Sequence, residues 1–310
     1  MKGDSTFFCI PLIRQGSKFD KPGRRKETQR LFAAILYPIQ NCFAMKIHFL
    51  SFGKDFFFQL TKVMKMKTVL LFGLFAILIQ SSVAQHILIY THNGEGYVHE
   101  NIASSVEALK KLCKEHGYTS EDSDDPSLLT SENLTRFECI IFSNTNNEAF
   151  VNESQREAFR DYIRNGGGFV GIHSASGSER NSEWFAAMLG GRFVSHPKYQ
   201  EFTIRVIDHD HPATNFLEEE WKWEDECYYT NNLNPDIHVL LAADLRTVDD
   251  PKKDTYPGRI FGDYFPLSWC HEFDGGRQFY TALGHNKDHY SNETFLNHLA
   301  GGIRWVIEKP

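Results

Sequence analysis

Hydrophobic residues in the first half of residues 85–310 fall into three short continuous runs, at residues 86–90, 138–142 and 169–172. Continuous apolar runs of this length are typical of strands buried on both faces of a parallel sheet. Between them, apolar residues recur every three or four positions, which predicts helices over residues 99–116 and 152–165. This alternation of strand and helix predicts right-handed crossovers and helices on both faces of the sheet.

The second half is richer in strand-like runs, at residues 202–207, 238–242 and 277–283, separated by long polar loops. A last helix is predicted over residues 294–307. The acidic runs at 121–125 and 218–220 are interpreted as solvated loops. With no internal repeat or long linker after Gln85, we predict one α/β domain over residues 85–310. Its expected architecture has three layers, α/β/α, around a mostly parallel, flavodoxin-like sheet.

Residues 64–84 have the three parts of a secretory signal peptide. A basic start is followed by an apolar run of 11 residues at 69–79 and by small residues that end at Ala84. The run is shorter than the roughly 20 residues that cross a bilayer, so no stable membrane span is predicted. Cleavage after Ala84 predicts a periplasmic or secreted protein. The alternative for this run is a buried strand or helix.

Residues 1–63 precede this signal and show no sustained hydrophobic period. We interpret them as an upstream extension, either unstructured or the product of a mis-assigned start codon. The alternative is an organelle-targeting leader. No compact fold is expected there.

The charge of the body argues against nucleic acid as a partner. Residues 85–310 contain 20 Lys and Arg against 36 Asp and Glu, a net charge of −16, which repels phosphate backbones. Cys113 and Cys139 lie in a predicted helix and a predicted strand, where cysteine is usually a small buried hydrophobe. A Cys227–Cys270 disulfide is compatible with an oxidising compartment, but the sequence leaves it open.

Histidine is the main candidate for acid–base or metal chemistry, and residues 85–310 contain 13 histidines. Ligands of open α/β sheets bind beyond the carboxyl ends of the strands, so the residues just after each strand deserve most weight. Small residues around His173 favour a tight strand-to-helix turn that lifts its side chain into a site, as in a nucleophile elbow. Imidazole there could act as acid, base or metal ligand. The alternative is a core histidine bonded to backbone.

Two other segments add candidate acid and base groups. Glu226 lies among aromatic residues, where an apolar wall could raise the pKa of a carboxyl group, and His285 follows the last strand. Aromatic rings beside carboxylates also suit sugar binding. We therefore predict His173, Glu226 and His285 as catalytic residues. The predicted substrate-binding residues are His92, His99, Asn144, Ser174, His196, Trp223, Tyr228 and His271.

Two histidine pairs have spacings that could bind a divalent metal. They are His209 with His211 and His285 with His289. The alternative is a surface turn at 208–211 and a solvated helix start at His289. Cofactor use is left open, with a divalent metal as one option. No dinucleotide fingerprint follows Gly94 and Gly96, so no nicotinamide or flavin cofactor is expected.

Several segments, taken in order, resemble the ThuA-like (trehalose utilisation) family. They are GGGFVGIH (166–173), Trp184 with LGGRF (189–193), HP (196–197), HPAT (211–214), DECY (225–228), WCH (269–271), GGR with YTALGH (275–285) and HLAGGIRW (298–305). The resemblance runs from about His86 to Pro310. It implies the fold of class I glutamine amidotransferases, although His173 stands at the turn where those enzymes carry cysteine. Glutamine amidotransfer is therefore not expected.

The resemblance implies a role with trehalose and related disaccharides, and with 3-keto sugars made by oxidising a glucoside. The expected reaction is cleavage of a 3-keto-glycoside, with a separate sugar oxidoreductase supplying the keto sugar. In it, His173 and His285 would serve as acid, base or metal ligands and Glu226 in proton transfer or sugar binding. Two alternatives stay open: a carbohydrate-binding protein without turnover, and a metal-dependent hydrolase of another substrate.

Overall fold

The computed structural model describes residues 85–253 and 262–308. The predicted signal peptide and upstream extension lie outside these residues. The strands are β1 His86–Tyr90, β2 Thr119–Ser123, β3 Cys139–Ser143, β4 Gly168–Ile172, β5 Arg192–Ser195, β6 Gln200–Val206, β7 Glu220–Asp225, β8 Tyr229–Asn231, β9 His238–Asp244, β10 Tyr264–Phe273 and β11 Gly276–Thr281. The α-helices are α1 Ile102–Glu115, α2 Ser131–Leu134, α3 Glu153–Arg164, α4 Glu183–Leu189 and α5 Glu293–Ile307.

Nine of these strands form one sheet in the order β2-β1-β3-β4-β11-β10-β9-β6-β7, and β5 pairs with β8 in a separate ribbon. Strands β2, β1, β3, β4 and β11 are parallel, whereas β10, β9, β6 and β7 each run antiparallel to their neighbours. The predicted α/β class is confirmed. The parallel half follows the βαβ alternation of the sequence, with crossover helices α1 and α3 between its strands.

The change to antiparallel pairing begins at the β10–β11 hairpin. Its two turn residues, Asp274 and Gly275, both have positive φ, at 50° and 96°. Positive φ at both positions is the geometry of a type I′ turn, which joins antiparallel strands directly, and Asp-Gly is a preferred sequence for it. The dipeptide was therefore a readable signal for antiparallel pairing at this point.

The predicted helices and strands of the parallel half are confirmed to within a few residues. Helix α3 begins after Asn152, whose side chain accepts a hydrogen bond from the Gln155 N–H at 3.0 Å and so caps the helix. Strand β2 corrects the interpretation of 121–125 as a loop. Among the described strands it pairs with β1 alone, at the edge of the sheet, and edge strands carry polar residues because one side meets solvent.

The core lies between the sheet and the helices on its two faces. Phenylalanine rings on β3, α3 and β4 pack together there, with Phe142, Phe159 and Phe169 fully buried. Cys113 and Cys139 are buried as predicted. Cys227 and Cys270 are also buried, and both are free thiols rather than a disulfide.

None of the helices in the described part of the chain has the length and apolar character needed to cross a membrane.

Candidate functional site

A two-lobed cleft lies at the carboxyl edge of the parallel strands. Its larger lobe is a cavity of about 390 Å³ and its smaller lobe one of about 230 Å³. Tyr97, His99 and His285 line both lobes and so form the boundary between them. The larger lobe is also lined by Asn146, Ser174, Gly177, Arg180, Phe193, His196, Glu226 and Tyr228. The smaller lobe is also lined by Glu100, Asn101, Tyr199, Asn286 and Lys287.

His173 follows β4 directly and has φ of 51°, a left-handed conformation that is uncommon outside glycine. The side chain is fully buried, and its Nδ1 lies 2.8 Å from the Ala282 carbonyl oxygen. Because a carbonyl only accepts, Nδ1 carries the proton and Nε2 presents a lone pair. The Tyr228 hydroxyl donates to this Nε2 at 2.8 Å. Burial lowers the pKa of His173 well below its usual value, which favours the neutral ring.

His285 and Glu226 reach His173 from two other strand ends. His285 follows β11 by four residues, and Glu226 comes directly after β7. His285 Nδ1 lies 3.1 Å from Glu226 Oε2 and 3.3 Å from His173 Nε2. The third distance, from His173 Nε2 to Glu226 Oε2, is 3.7 Å. Three atoms from separate parts of the chain thus converge at one point.

The ionisation of Glu226 and His285 is mutually supported. Burial raises the pKa of Glu226. The hydrogen bond from His285 and the nearby imidazoles together lower this pKa by more, so the net shift is downward. The hydrogen bond to Glu226 raises the pKa of His285, against the opposing effect of burial. The two groups therefore favour a carboxylate beside a protonated ring.

Asp225, next to Glu226 in the chain, positions the segment that carries His285. It is fully buried, and burial raises its pKa. Its Oδ2 accepts hydrogen bonds from the Gly284 N–H and from Trp223 Nε1, both at 2.8 Å. Because these contacts fix the backbone that carries His285, Asp225 is a positioning residue.

His99 completes the polar floor of the cleft. Its ring meets the rings of His173 and His285 edge to face, with centroids 4.8 and 5.5 Å away. Burial lowers the pKa of His99 to about 4, and the nearby His285 adds to this. The His99 Nδ1 atom is buried and has no hydrogen-bond partner within residues 85–253 and 262–308. Such an atom is costly unless a ligand pairs with it.

The wall of the larger lobe comes from the β5–β8 ribbon. Phe193 lies on β5, His196 follows that strand, and Tyr228 precedes β8. The Phe193 and Tyr228 rings pack with centroids 4.4 Å apart, and Tyr228 stacks on His196 at 5.6 Å. The Ser174 hydroxyl also lines this lobe, and it is buried with no hydrogen-bond partner among the described residues. The lobe thus offers aromatic faces together with polar groups.

Of the predicted catalytic and binding residues, seven come together here. They are His99, His173, Ser174, His196, Glu226, Tyr228 and His285. Their catalytic and binding roles stay predictions. The structure corrects the placement of the other four.

Two of those four are held elsewhere in the parallel half. His92 Nδ1 bonds to the Asp124 carbonyl at 2.9 Å, which keeps the ring against the β2 side of the sheet. Asn144 is fully buried, with its side-chain amide bonded to Tyr290 and Asn101. Neither side chain lines the cleft, because both satisfy internal hydrogen bonds.

The remaining two are buried in the antiparallel half. Trp223 packs against the His289 ring and donates to Asp225, so it supports the site from behind. His271 lies on β10, and its Nε2 bonds to the Met188 carbonyl at 2.8 Å under α4. Both were predicted to contact substrate and are placed instead in the supporting core.

The predicted metal pairs do not form ligand groups in the described residues. His209 is exposed, whereas His211 is buried with its Nδ1 accepting from the Ala213 N–H. His289 Nδ1 faces Asp225 and the Asn286 N–H rather than a cluster of ligands. In the described residues, the group able to hold a metal ion is a different one. It consists of His99, His173, Glu226 and His285, whose ligand atoms lie within 4.8 Å of one another.

Sequence reasoning missed several lining residues, among them Tyr97, Arg180, Phe193 and Tyr199. Tyr97, Arg180 and Tyr199 lie in loops outside any recognisable motif. Phe193 lies on the short β5 strand and ends the LGGRF segment, but that segment does not mark its ring as a lining group. Asp225 was visible beside Glu226, but nothing in the sequence separates the positioning carboxylate from the one that faces the cleft.

Comparisons with known proteins agree with this architecture. A solved ThuA-like protein from Bacteroides uniformis matches with a TM-score of 0.60 at 24% identity, over 74% of this chain and 95% of its own. Another, from Parabacteroides merdae, matches with a TM-score of 0.58 at 18% identity, over 72% of this chain and 90% of its own. A search of curated proteins finds no match. The profile of the ThuA family, described as trehalose utilisation, matches residues 86–306, and the chain therefore belongs to that family.

Proposed function

We propose that the cleft binds a small carbohydrate and that the protein cleaves glycosides carrying a keto group at C3. The observation that carries the proposal is the meeting of His173 Nε2, His285 Nδ1 and Glu226 Oε2 within 3.1–3.7 Å of one another at the floor of the cleft. Groups that exchange protons thus lie together beside an aromatic wall, and aromatic faces suit sugar rings. The family description, trehalose utilisation, supports the substrate class.

The two lobes support a disaccharide rather than a single sugar. They share a boundary at His99 and His285, and each has its own polar lining. In the proposed pose, the keto sugar occupies the larger lobe and its partner sugar the smaller one. The bond to be cleaved then lies over the boundary, beside the convergent groups.

The chemistry needs no conventional pair of glycosidase carboxylates. A 3-keto group acidifies the C2–H bond, so a base can remove that proton and leave an enolate. The enolate electrons then form the C1–C2 double bond and expel the C1 oxygen, which takes up a proton as the free alcohol of the partner sugar. The keto sugar is released as an unsaturated ketone, to which water can add. Each proton transfer is general acid–base chemistry.

The proposal includes export and a partner enzyme. A chain cleaved after Ala84 would act outside the cytoplasm, and a separate oxidoreductase would supply the keto sugar. Retention of the protein in the cytoplasm of its host would remove the export part and leave the reaction untouched.

The direct test offers the purified protein 3-keto-trehalose and, in parallel, unmodified trehalose, and follows release of glucose. We expect release from the keto sugar alone. Release from both would indicate an ordinary glycosidase instead. Tight binding of either sugar with no release would show a carbohydrate-binding protein, the second class that the sequence left open.

A matched pair of variants ties turnover to the site. His173→Ala removes the ring at the cleft, and His298→Ala removes another fully buried histidine whose Nδ1 also bonds to a carbonyl, that of Ala213 at 2.9 Å. Only the first should lose turnover. Equal turnover in both folded variants would overturn the assignment.

A further inference from the structure

The three convergent atoms have the spacing of metal ligands. Bonds of about 2.1 Å from a transition metal to nitrogen or oxygen place neighbouring ligand atoms roughly 3.0–3.4 Å apart. His285 Nδ1 lies 3.1 Å from Glu226 Oε2 and 3.3 Å from His173 Nε2, and the remaining distance is 3.7 Å. Two imidazoles and one carboxylate arranged on one face are a recurrent ligand set for divalent metals.

The hydrogen-bond pattern also favours a cation. His173 donates its Nδ1–H to the Ala282 carbonyl, so its Nε2 lone pair points toward His285 and Glu226. A backbone carbonyl on the far nitrogen is the usual way in which proteins orient a metal-binding histidine. Within the cluster, the single Nδ1 of His285 faces both the Nε2 lone pair and the carboxylate. It cannot donate one proton fully to both.

His99 supplies a second, independent observation. It is 6% exposed, it packs edge-on against both other imidazoles, and its Nδ1 is buried with no hydrogen-bond partner in the part of the chain that the structure describes. One ligand atom of His99 lies within 4.8 Å of those of the other three residues. A small shift of this ring would bring a fourth ligand to the same ion.

We infer that His99, His173, His285 and Glu226 bind one divalent transition-metal ion at the floor of the cleft. Three imidazoles and one carboxylate suit Zn²⁺, Co²⁺ or Fe²⁺ better than Mg²⁺ or Ca²⁺, which prefer oxygen ligands. For its catalytic role the inference rests on the proposed function. The ion would lie where the keto oxygen of the substrate approaches, and a bound cation stabilises charge on such an oxygen.

This assignment leaves proton transfer to two neighbouring residues. His196 Nδ1 donates to the Pro197 carbonyl at 2.7 Å, so its Nε2 presents a lone pair. The Tyr228 hydroxyl now donates to His173 Nε2, and it has to leave that lone pair when a metal takes it. Both side chains line the larger lobe.

The test measures metal affinity without any substrate. Protein stripped with a chelator is titrated with Co²⁺ and with Zn²⁺ by calorimetry, and Co²⁺ is also followed by its visible absorption. We expect one ion per chain. His173→Ala and Glu226→Gln should each weaken affinity at least about tenfold. Tyr228→Phe should bind as tightly as the parent or more tightly, because it removes a competitor for the Nε2 lone pair.

His211→Ala is the control, since it removes a residue of the other candidate metal pair and should leave binding unchanged. Absence of a bound ion in the parent, or loss of binding in His211→Ala with retention in Glu226→Gln, would overturn the inference. Glu226→Gln carries the test if His173→Ala does not fold. One bound ion without turnover of keto sugars would refute the proposed function but support the metal site. Turnover by the stripped protein, together with no ion bound in the titration, would refute the metal site but support the proposed function.

Discussion

The parallel and antiparallel halves of the sheet contribute to the cleft in different ways. The parallel half supplies His173 and His285, each just beyond the end of a buried strand. The antiparallel half and the β5–β8 ribbon supply His196, Glu226 and Tyr228, from loops and from the far edge strand β7. Binding sites of parallel sheets form at the carboxyl edge, and here the second half folds over that edge.

The difference largely separates a floor from a wall. Apart from Glu226, the floor residues come from the parallel half, whereas the wall comes from the antiparallel half and the β5–β8 ribbon. The floor residues are fixed by backbone contacts, such as that of His173 with the Ala282 carbonyl at 2.8 Å. The wall is built from aromatic contacts between short segments, such as Phe193 with Tyr228. We therefore expect changes in the floor to affect the chemistry most and changes farther out to affect substrate choice.

The largest effect is expected for His173→Ala, because it removes the Nε2 lone pair, which is the proposed metal ligand. Turnover of a keto-glycoside should fall by about 10³-fold, in the range found when a positioned acid, base or ligand is lost. His196→Ala should lower turnover by about 10²-fold and keep metal affinity. Steady-state kinetics and metal titration of both variants test this difference between floor and wall. If His196→Ala also lost metal binding, His196 would belong to the floor, and the distinction would be wrong.

A smaller loss is expected for Asp225→Asn, which tests how the two halves are joined. The carboxylate on β7 accepts from the Gly284 N–H beyond β11, so it links the antiparallel edge to the parallel half. An amide can keep only part of this pattern, and the backbone that carries His285 should shift. We expect kcat to fall about tenfold to a hundredfold with little change in KM, and metal affinity to weaken similarly. A change confined to KM would assign Asp225 to substrate binding instead.

Much of the floor could be predicted from the sequence, because continuous apolar runs mark strands buried on both faces and glycines mark where they turn. The position of His173 follows from that local pattern. The wall could not be predicted in the same way. Phe193 and Tyr228 meet through the pairing of two short strands, β5 and β8. In this pairing Phe193 lies opposite Thr230, which comes 37 residues later in the chain.

Burial of polar residues was the other source of error. Asn144 was predicted as a site residue because it follows a strand, and His271 because it lies in the WCH segment of the ThuA resemblance, yet both side chains form internal hydrogen bonds. A single sequence does not show whether a polar side chain bonds to distant backbone. The antiparallel pairing, in contrast, is readable from the Asp274–Gly275 dipeptide, because both residues have the positive φ of a turn that joins antiparallel strands directly.

A few-fold effect is expected in the smaller lobe, which the proposal gives to the partner sugar. Lys287→Ala and Tyr199→Phe each remove one polar group of that lining. We expect a severalfold rise in KM for 3-keto-trehalose and no change for a methyl 3-keto-glucoside, which has no second sugar. The exposed Lys111→Ala on α1 is the matched control. Equal changes for both substrates would show that the smaller lobe does not hold the second sugar.

The smallest effect concerns stability rather than catalysis, at His298 on α5. This fully buried ring bonds to the Ala213 carbonyl after β6 and to the Thr281 hydroxyl on β11, so it joins the two halves. Burial lowers the pKa of His298 from 6.5 to about 4. Between these values the unfolded chain binds a proton that the native protein does not, so the free energy of unfolding falls as pH falls through that window. His298→Gln removes this titrating group, so the loss of stability from pH 7 to pH 5, measured by urea unfolding, should shrink by about 2 kcal/mol.

The control is His116→Gln at an exposed histidine, which should leave that loss unchanged. If His298→Gln lost as much stability as the parent between pH 7 and pH 5, His298 would not be a source of the pH dependence.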